Sequence, residues 1–187
     1  SDTSLASSVL NTVDGNTTGA VNAGTVSTLT GAAADMNTAY ASSGITGLSN
    51  EAVTLTDTSL ATTVLNTLDG NTTGAVNAAT ITTLTGLAAD ANTAYASSGI
   101  IGLGNEAVTL SDTSLATTVL NTLDDNTTGA VNAATVTTLT GTAATANTAY
   151  ASSGISGLGN EAVTLSDTSL ATTVLNTLDG NTTGAVN

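Results

Sequence analysis

An α/β repeat solenoid is the fold that this sequence predicts, and three observations predict it. Near-identical blocks open at Ser1, Thr56, Ser111 and Ser166, at one fixed period without an insertion. Each block divides into two related halves, and in each half a helix-like apolar stripe is followed by a Val- and Thr-rich extended stretch. The side chains available for a core are nearly all small: 40% of residues are hydrophobic, but only 2% are aromatic and all of those are tyrosine. A unit this short, with such side chains and no cysteine, cannot bury a core of its own. Stacked coils solve the problem, because each buries its apolar face on the next. The expectation is therefore one continuous stack, cut from a longer array: repeat 1 (1–55), repeat 2 (56–110), repeat 3 (111–165) and a partial repeat 4 (166–187). Each repeat would hold two helix–strand coils of about 27 residues with parallel strands. An all-β solenoid is the alternative, since Val and Thr also suit strands.

The elements follow in order along repeat 3. Leu115, Ala116, Val119, Leu120 and Leu123 lie on one helical face, with Ser111 or Asp112 as the N-cap. The helix stop is expected in the Asp-Gly-Asn-Thr-Thr-Gly segment, with Gly70 or Gly180 in the left-handed conformation. An extended stretch follows over 130–139, interrupted near Ala133 and Ala134. Ala143, Ala146 and Tyr150 then suggest a short helix closing at Gly154. A loop carrying Gly157 and Gly159 leads to a strand over 161–165.

The composition excludes most chemistry. There is no Lys, Arg, His or Cys, and 14 acids give a formal net charge of −14. No side chain is present to shuttle protons near neutrality or to hold an anion, and the only bases are carboxylates. The acids recur once per copy at equivalent places, as Asp2, Asp57, Asp112 and Asp167 do, which favours caps and turns over an active site. The chain reads as no enzyme. Without basic residues there is no electrostatic basis for nucleic-acid binding, and no apolar run is long enough for direct membrane insertion. An all-negative surface instead attracts cations.

Calcium is the sharper candidate ligand. The Asp-Gly-Asn-Thr-Thr-Gly segment is short and oxygen-rich, and calcium takes six to eight oxygens. It nominates Asp14, Asp69, Asp124 and Asp179 with Asn16, Asn71, Asn126 and Asn181. The plainer reading is a turn whose Asp and Asn bond local backbone, and Asp125 replacing the glycine in one copy favours it. The same asparagines sit in Asn-Thr-Thr glycosylation sequons. Asn121, in a helix and repeated in every copy, is expected to form a ladder between stacked coils or a buried cap. Thr-rich rows such as Thr135, Thr137 and Thr138 invite an ice-binding reading, but threonine is also simply a good strand residue.

The stretches Ala-Val-Thr-Leu-Ser-Asp-Thr-Ser-Leu-Ala, Thr-Thr-Leu-Thr-Gly-x-Ala-Ala and Asn-Thr-Ala-Tyr-Ala-Ser-Ser-Gly-Ile resemble the Ala/Thr/Gly-rich tandem repeats of giant bacterial secreted or cell-surface proteins, of the marine cyanobacterial type. The resemblance spans the whole chain and carries over no catalytic residues. It implies an extracellular or cell-surface protein whose repeats self-associate into a fibre, stalk, sheath or surface layer. The residues themselves agree on one point: with no Lys or Arg, trypsin-like proteases have no cleavage site. The alternative function is an adhesin-type binding module carrying calcium or glycan along the repeat face.

Overall fold

The computed structural model describes residues 2–187, and over them the chain is an α/β repeat solenoid in which helices alternate with parallel strands. The all-β alternative does not hold. Repeat 1 contains β1 (Ser4–Ala6), α1 (Ser7–Gly15), β2 (Val21–Asn22), β3 (Thr28–Gly31), α2 (Ala33–Ala41), β4 (Ile45–Thr46) and β5 (Ala52–Leu55). Repeat 2 gives β6 (Ser59–Ala61), α3 (Thr62–Asn71), β7 (Val76–Asn77), β8 (Thr83–Gly86), α4 (Ala88–Ala96), β9 (Ile100–Ile101) and β10 (Ala107–Leu110). Repeat 3 gives β11 (Ser114–Ala116), α5 (Thr117–Asn126), β12 (Val131–Asn132), β13 (Thr138–Gly141), α6 (Ala143–Ala151), β14 (Ile155–Ser156) and β15 (Ala162–Leu165). The last helix is α7 (Thr172–Asn181).

Strand spacing explains the sheets. Within a repeat the chain takes two kinds of step between strands. A long step, from β1 to β2 or from β3 to β4, holds a helix. A short step, from β2 to β3, β4 to β5 or β5 to β6, holds only a turn. One long and one short step together set the pairing register, which places Leu5 opposite Leu29 and Leu29 opposite Val53. Where two short steps adjoin, after β4, β9 and β14, that register falls on a helix instead of a strand and the sheet ends. The sheet that starts at β1 accordingly runs β1-β3-β5-β7-β9 and stops. Its first two strands enter helices and its last two leave them.

The chain groups into two compact units, one of residues up to Thr82 with Thr93–Leu103, the other of Thr83–Asn92 with Gly104–Asn187. In the first unit α1 packs on α2 and α2 on α3; in the second α5 packs on α6 and α6 on α7. Every one of these contacts sets a Leu-rich helix against an Ala-rich one. The buried face of α2 is Ala33, Met36 and Ala39, and that of α3 includes Leu65 and Leu68. Strand interiors supply Leu29, Val53 and Val76 to the first unit and Val108, Val131, Leu139 and Val163 to the second. Fully burying one such Leu or Val contributes roughly 1.5–3 kcal/mol. No helix among the described residues is long and apolar enough to cross a membrane.

Two local expectations are corrected. The first helix of repeat 3 begins at Thr117, not beside Ser111 or Asp112, because Ser114–Ala116 is drawn into β11 by pairing with β13. Its N-cap, Ala116, makes no side-chain bond. The stop does fall in the Asp-Gly-Asn-Thr-Thr-Gly segment but not at a left-handed glycine: α3 runs through Gly70 to Asn71 and α7 through Gly180 to Asn181, and neither glycine has positive φ. The loop glycine Gly157 does, at φ 84°, a region that only glycine adopts freely.

Candidate functional site

Many of the polar residues that recur from repeat to repeat join one coil to the next. The aspartate expected to cap its own helix caps the preceding one. Asp57 Oδ2 accepts from the Ala33 amide of α2 at 2.8 Å, Asp112 from Ala88 of α4 at 2.9 Å, and Asp167 from Ala143 of α6 at 2.8 Å. These are the first residues of the Ala-rich helices, where free N–H groups and the helix dipole both favour a carboxylate. The capping chemistry was legible in the sequence; the partner lies one coil back.

Asn121, expected in a ladder or a buried cap, belongs to a row of asparagines whose amides reach backbone carbonyls of the next coil. Asn11 Nδ2 donates to the Asp35 carbonyl at 2.9 Å, Asn37 to Val64 at 3.1 Å, Asn92 to Val119 at 3.0 Å and Asn121 to Thr145 at 3.0 Å. Each amide leaves one helix and reaches a carbonyl in the first turn of the next. The asparagines of the Ala-rich helices use their carbonyl oxygens as well. Asn71 Nδ2 donates to Asn37 Oδ1, Asn126 to Asn92 and Asn181 to Asn147, each at 3.0 Å.

The calcium candidates are distributed through this same system. Asp14, Asp69 and Asp124 lie inside α1, α3 and α5, and their Oδ2 atoms accept from Ser42, Ser97 and Ser152 at 2.6–2.7 Å. Asp179 occupies the matching place in α7 and is exposed, as is Asn16 at the end of α1. Asn71, Asn126 and Asn181 are the donors just described, and their carboxamides bond the neighbouring coil. Successive copies of these residues stand one repeat apart. Among the described residues no three or more acids gather into a group with metal-ligand spacing.

The buried carboxylates were not anticipated. Glu51, Glu106 and Glu161 are each fully buried. Glu51 accepts from the Ser49 amide at 3.0 Å and from the Tyr40 hydroxyl at 2.9 Å. Glu161 accepts from the Gly159 amide at 2.8 Å and from Tyr150 at 3.0 Å. Burial raises the Tyr40 hydroxyl well above the usual phenol range, the Thr72 hydroxyl opposes the rise, and the Glu51 carboxylate adds to it. Burial likewise pushes Tyr150 up to about 12, opposed by Thr182 and assisted by the charge of Glu161. Each tyrosine therefore stays protonated and donates to its glutamate. The available signal was the unvaried spacing of tyrosine and glutamate, the same from Tyr40 to Glu51 as from Tyr150 to Glu161.

Backbone closes the same contact from the other side. Thr72, Thr127 and Thr182 donate to the carbonyls of Glu51, Glu106 and Glu161 at 2.7–2.8 Å. The glycine two residues on, Gly74, Gly129 or Gly184, lies so near that carbonyl that a Cβ would collide with it. This close approach explains the last glycine of Asp-Gly-Asn-Thr-Thr-Gly. Copy 3 also shows two linked departures: Thr142 stands where Ala32 and Leu87 stand, and Thr145 where Asp35 and Asp90 stand. The Thr142 hydroxyl accepts from the Thr145 amide at 3.2 Å as a helix cap, and the Thr145 hydroxyl meets that of buried Thr117 at 2.6 Å. The two changes work as a pair.

Compared with protein-family models, curated proteins and solved structures, the chain matches none.

Proposed function

We propose that this chain is a structural repeat segment of an extracellular fibre, stalk, sheath or surface layer, and that its work is length and stiffness. The observation that carries the reading is the use of the recurrent polar residues: Asp57, Asn37, Asn71, Ser42 and Thr72 each bond an adjacent coil, at positions that recur from repeat to repeat. Identical bonds from coil to coil resist sliding and bending, and they extend by adding coils of the same sequence. The role is non-catalytic, since the carboxylates serve as caps, hydroxyl acceptors and buried anchors. A net charge of −14 with no cation keeps such arrays soluble, and the lack of Lys and Arg suits exposure to trypsin-like proteases. Self-association of such segments into a fibre or array belongs to the same reading.

The test is imaging of arrays built from two, four and eight tandem copies of residues 56–110. Contour length rising by one constant increment per repeat, with a persistence length well above that of a flexible chain, is the expected result. Compact particles, or beads whose separation varies from molecule to molecule, would overturn the reading.

A further inference from the structure

Each repeat boundary is crossed by a pair of strands. β5, the last strand of repeat 1, pairs on one side with β3 of its own repeat and on the other with β7 of repeat 2, in the register Leu29, Val53, Val76. β7 then pairs with β9, which sets Val76 opposite Ile100. One repeat later β10 pairs with β8 and with β12, in the register Leu84, Val108, Val131, and β12 pairs with β14. The bridge between Val163 and Val186 crosses the third boundary in the same way. Side chains follow the strands. Thr72 and Thr80 of repeat 2 donate to the Glu51 and Leu55 carbonyls at the two ends of β5, at 2.8 and 3.1 Å. Thr127 and Thr135 of repeat 3 donate likewise to Glu106 and Leu110 at the ends of β10, at 2.7 and 3.0 Å.

Repeat 2 is divided by this pairing. Its strands β7 and β9 belong to the sheet built on β5 of repeat 1, whereas β8 and β10 belong to the sheet that runs on to β12 and β14 of repeat 3. The two compact units divide repeat 2 along the same line, with β7 and β9 in the first and β8 and β10 in the second. Strands adjacent in sequence thus lie in different sheets, and strands of different repeats share one.

We infer that the segment of this chain that opens and resists load as one body is the sheet straddling a repeat boundary, and not the sequence repeat. Removing a central strand such as β5 leaves main-chain groups of both β3 and β7 without partners. It also uncovers Leu29 and Val76, which are fully buried against it. The strands on either side of a boundary therefore open together. The inference rests on the array reading above and states how such an array carries load. Every repeat boundary lies inside a cooperative unit, so a fibre of these repeats has no seam between one copy and the next.

The test is residue-resolved hydrogen exchange of the whole chain with one buried valine shortened in either sheet. Val76 and Ala78 report on the first sheet, since their amides bond the Gly99 and Ile101 carbonyls. Val131 and Ala133 report on the second, bonding Gly154 and Ser156. Val53→Ala, in repeat 1, should speed exchange at Val76 and Ala78 of repeat 2 by about tenfold. Val131 and Ala133 should stay within about twofold of the parent. Val108→Ala, in repeat 2, should speed Val131 and Ala133 of repeat 3 by about tenfold. It should leave Val76 and Ala78, in its own repeat, within about twofold. Thr54→Ala and Thr109→Ala replace exposed residues of the same two strands and leave the core intact. They should give the same pattern at up to about fivefold. If Val108→Ala speeds Val76 and Ala78 as much as Val131 and Ala133, or if the effect of Val53→Ala stops at the boundary, the inference is overturned. A rise at Val76 that does not reach Ala78 marks a local packing defect and overturns it too. A failure of the array reading would appear separately, as contour lengths that do not scale with repeat number.

Discussion

Asp57 is the most direct probe of whether one coil holds the next. Its Oδ2 accepts from the Ala33 amide at 2.8 Å, and α2 has no side-chain cap of its own, since its N-cap residue is Ala32. Replacing an N-cap acceptor by alanine costs about 1 kcal/mol, and a carboxylate at a helix N-terminus contributes about 0.3–1 kcal/mol through the dipole. Asp57→Ala should therefore destabilise α2 locally by about 1.5 kcal/mol. At about 1.4 kcal/mol per factor of ten, the α2 amides should exchange roughly tenfold faster. Asp57→Asn keeps an oxygen acceptor and loses only the charge, so its exchange should rise by only about two- to fivefold. Both substitutions remove the same one of 14 negative charges, so the difference between them isolates the hydrogen bond from any relief of net repulsion. Native-state hydrogen exchange resolved by residue is the assay, with α5 as the reference. If Ala and Asn behave alike, or if α2 exchange is unchanged in both, the cap is not what ties this coil to its neighbour.

The remaining predictions test separate parts of the stack. Gly129→Ala should destabilise by roughly 1–3 kcal/mol, because its Cβ would collide with the Glu106 carbonyl; a denaturation midpoint equal to the parent's would refute that close packing. Gly70→Ala should do the opposite and stabilise by about 0.5–1 kcal/mol, since Gly70 is helical and a Cβ there meets nothing within 4 Å. Stability should be unaltered up to the ordinary tyrosine range near pH 10 and then fall as pH rises through about 12. The sign follows because the folded state holds Tyr150 protonated above its unfolded value; thermal melts of Tyr150→Phe should lose much of that alkaline step. Added sodium chloride should raise the melting temperature, because it screens repulsion among 14 acids that face no cation.

The period, the α/β alternation and the second half of each repeat were legible because they rest on local signals. Ala143, Ala146 and Tyr150 do form α6, the loop at Gly157 does take positive φ, and 162–165 is a strand. What escaped the sequence was set by neighbours. Ser114–Ala116 looks like the first turn of a helix, yet parallel pairing with Thr138–Thr140 makes it a strand and delays the helix to Thr117. Val21–Asn22 and Ile45–Thr46 are two-residue strands, too short to show alternation, and they exist because they pair with each other in register. Gly70 did not end its helix because the last turn is fastened from outside by Asn71 on Asn37. Glu161 lies between a glycine-rich loop and a strand, where a charge usually meets solvent; its burial depends on Tyr150 and the Gly159 amide.

These failures share a cause that bears on how the repeat works. Several of its most regular polar residues act between coils. Asp57, Asn71 and Ser42 each satisfy a group in a different coil, so a single coil taken alone would leave both partners unmade. The penalty of an isolated coil is therefore high in polar groups as well as in apolar surface, and adding a coil relieves both at once. That coupling makes growth of the stack cooperative without large side chains, which a chain with no Phe or Trp requires. It also accounts for the low variation in the polar positions. A change at Asp57 or Asn71 damages a neighbour as well as itself, whereas the departure at Thr145 is accompanied by one at Thr142 that bonds to it.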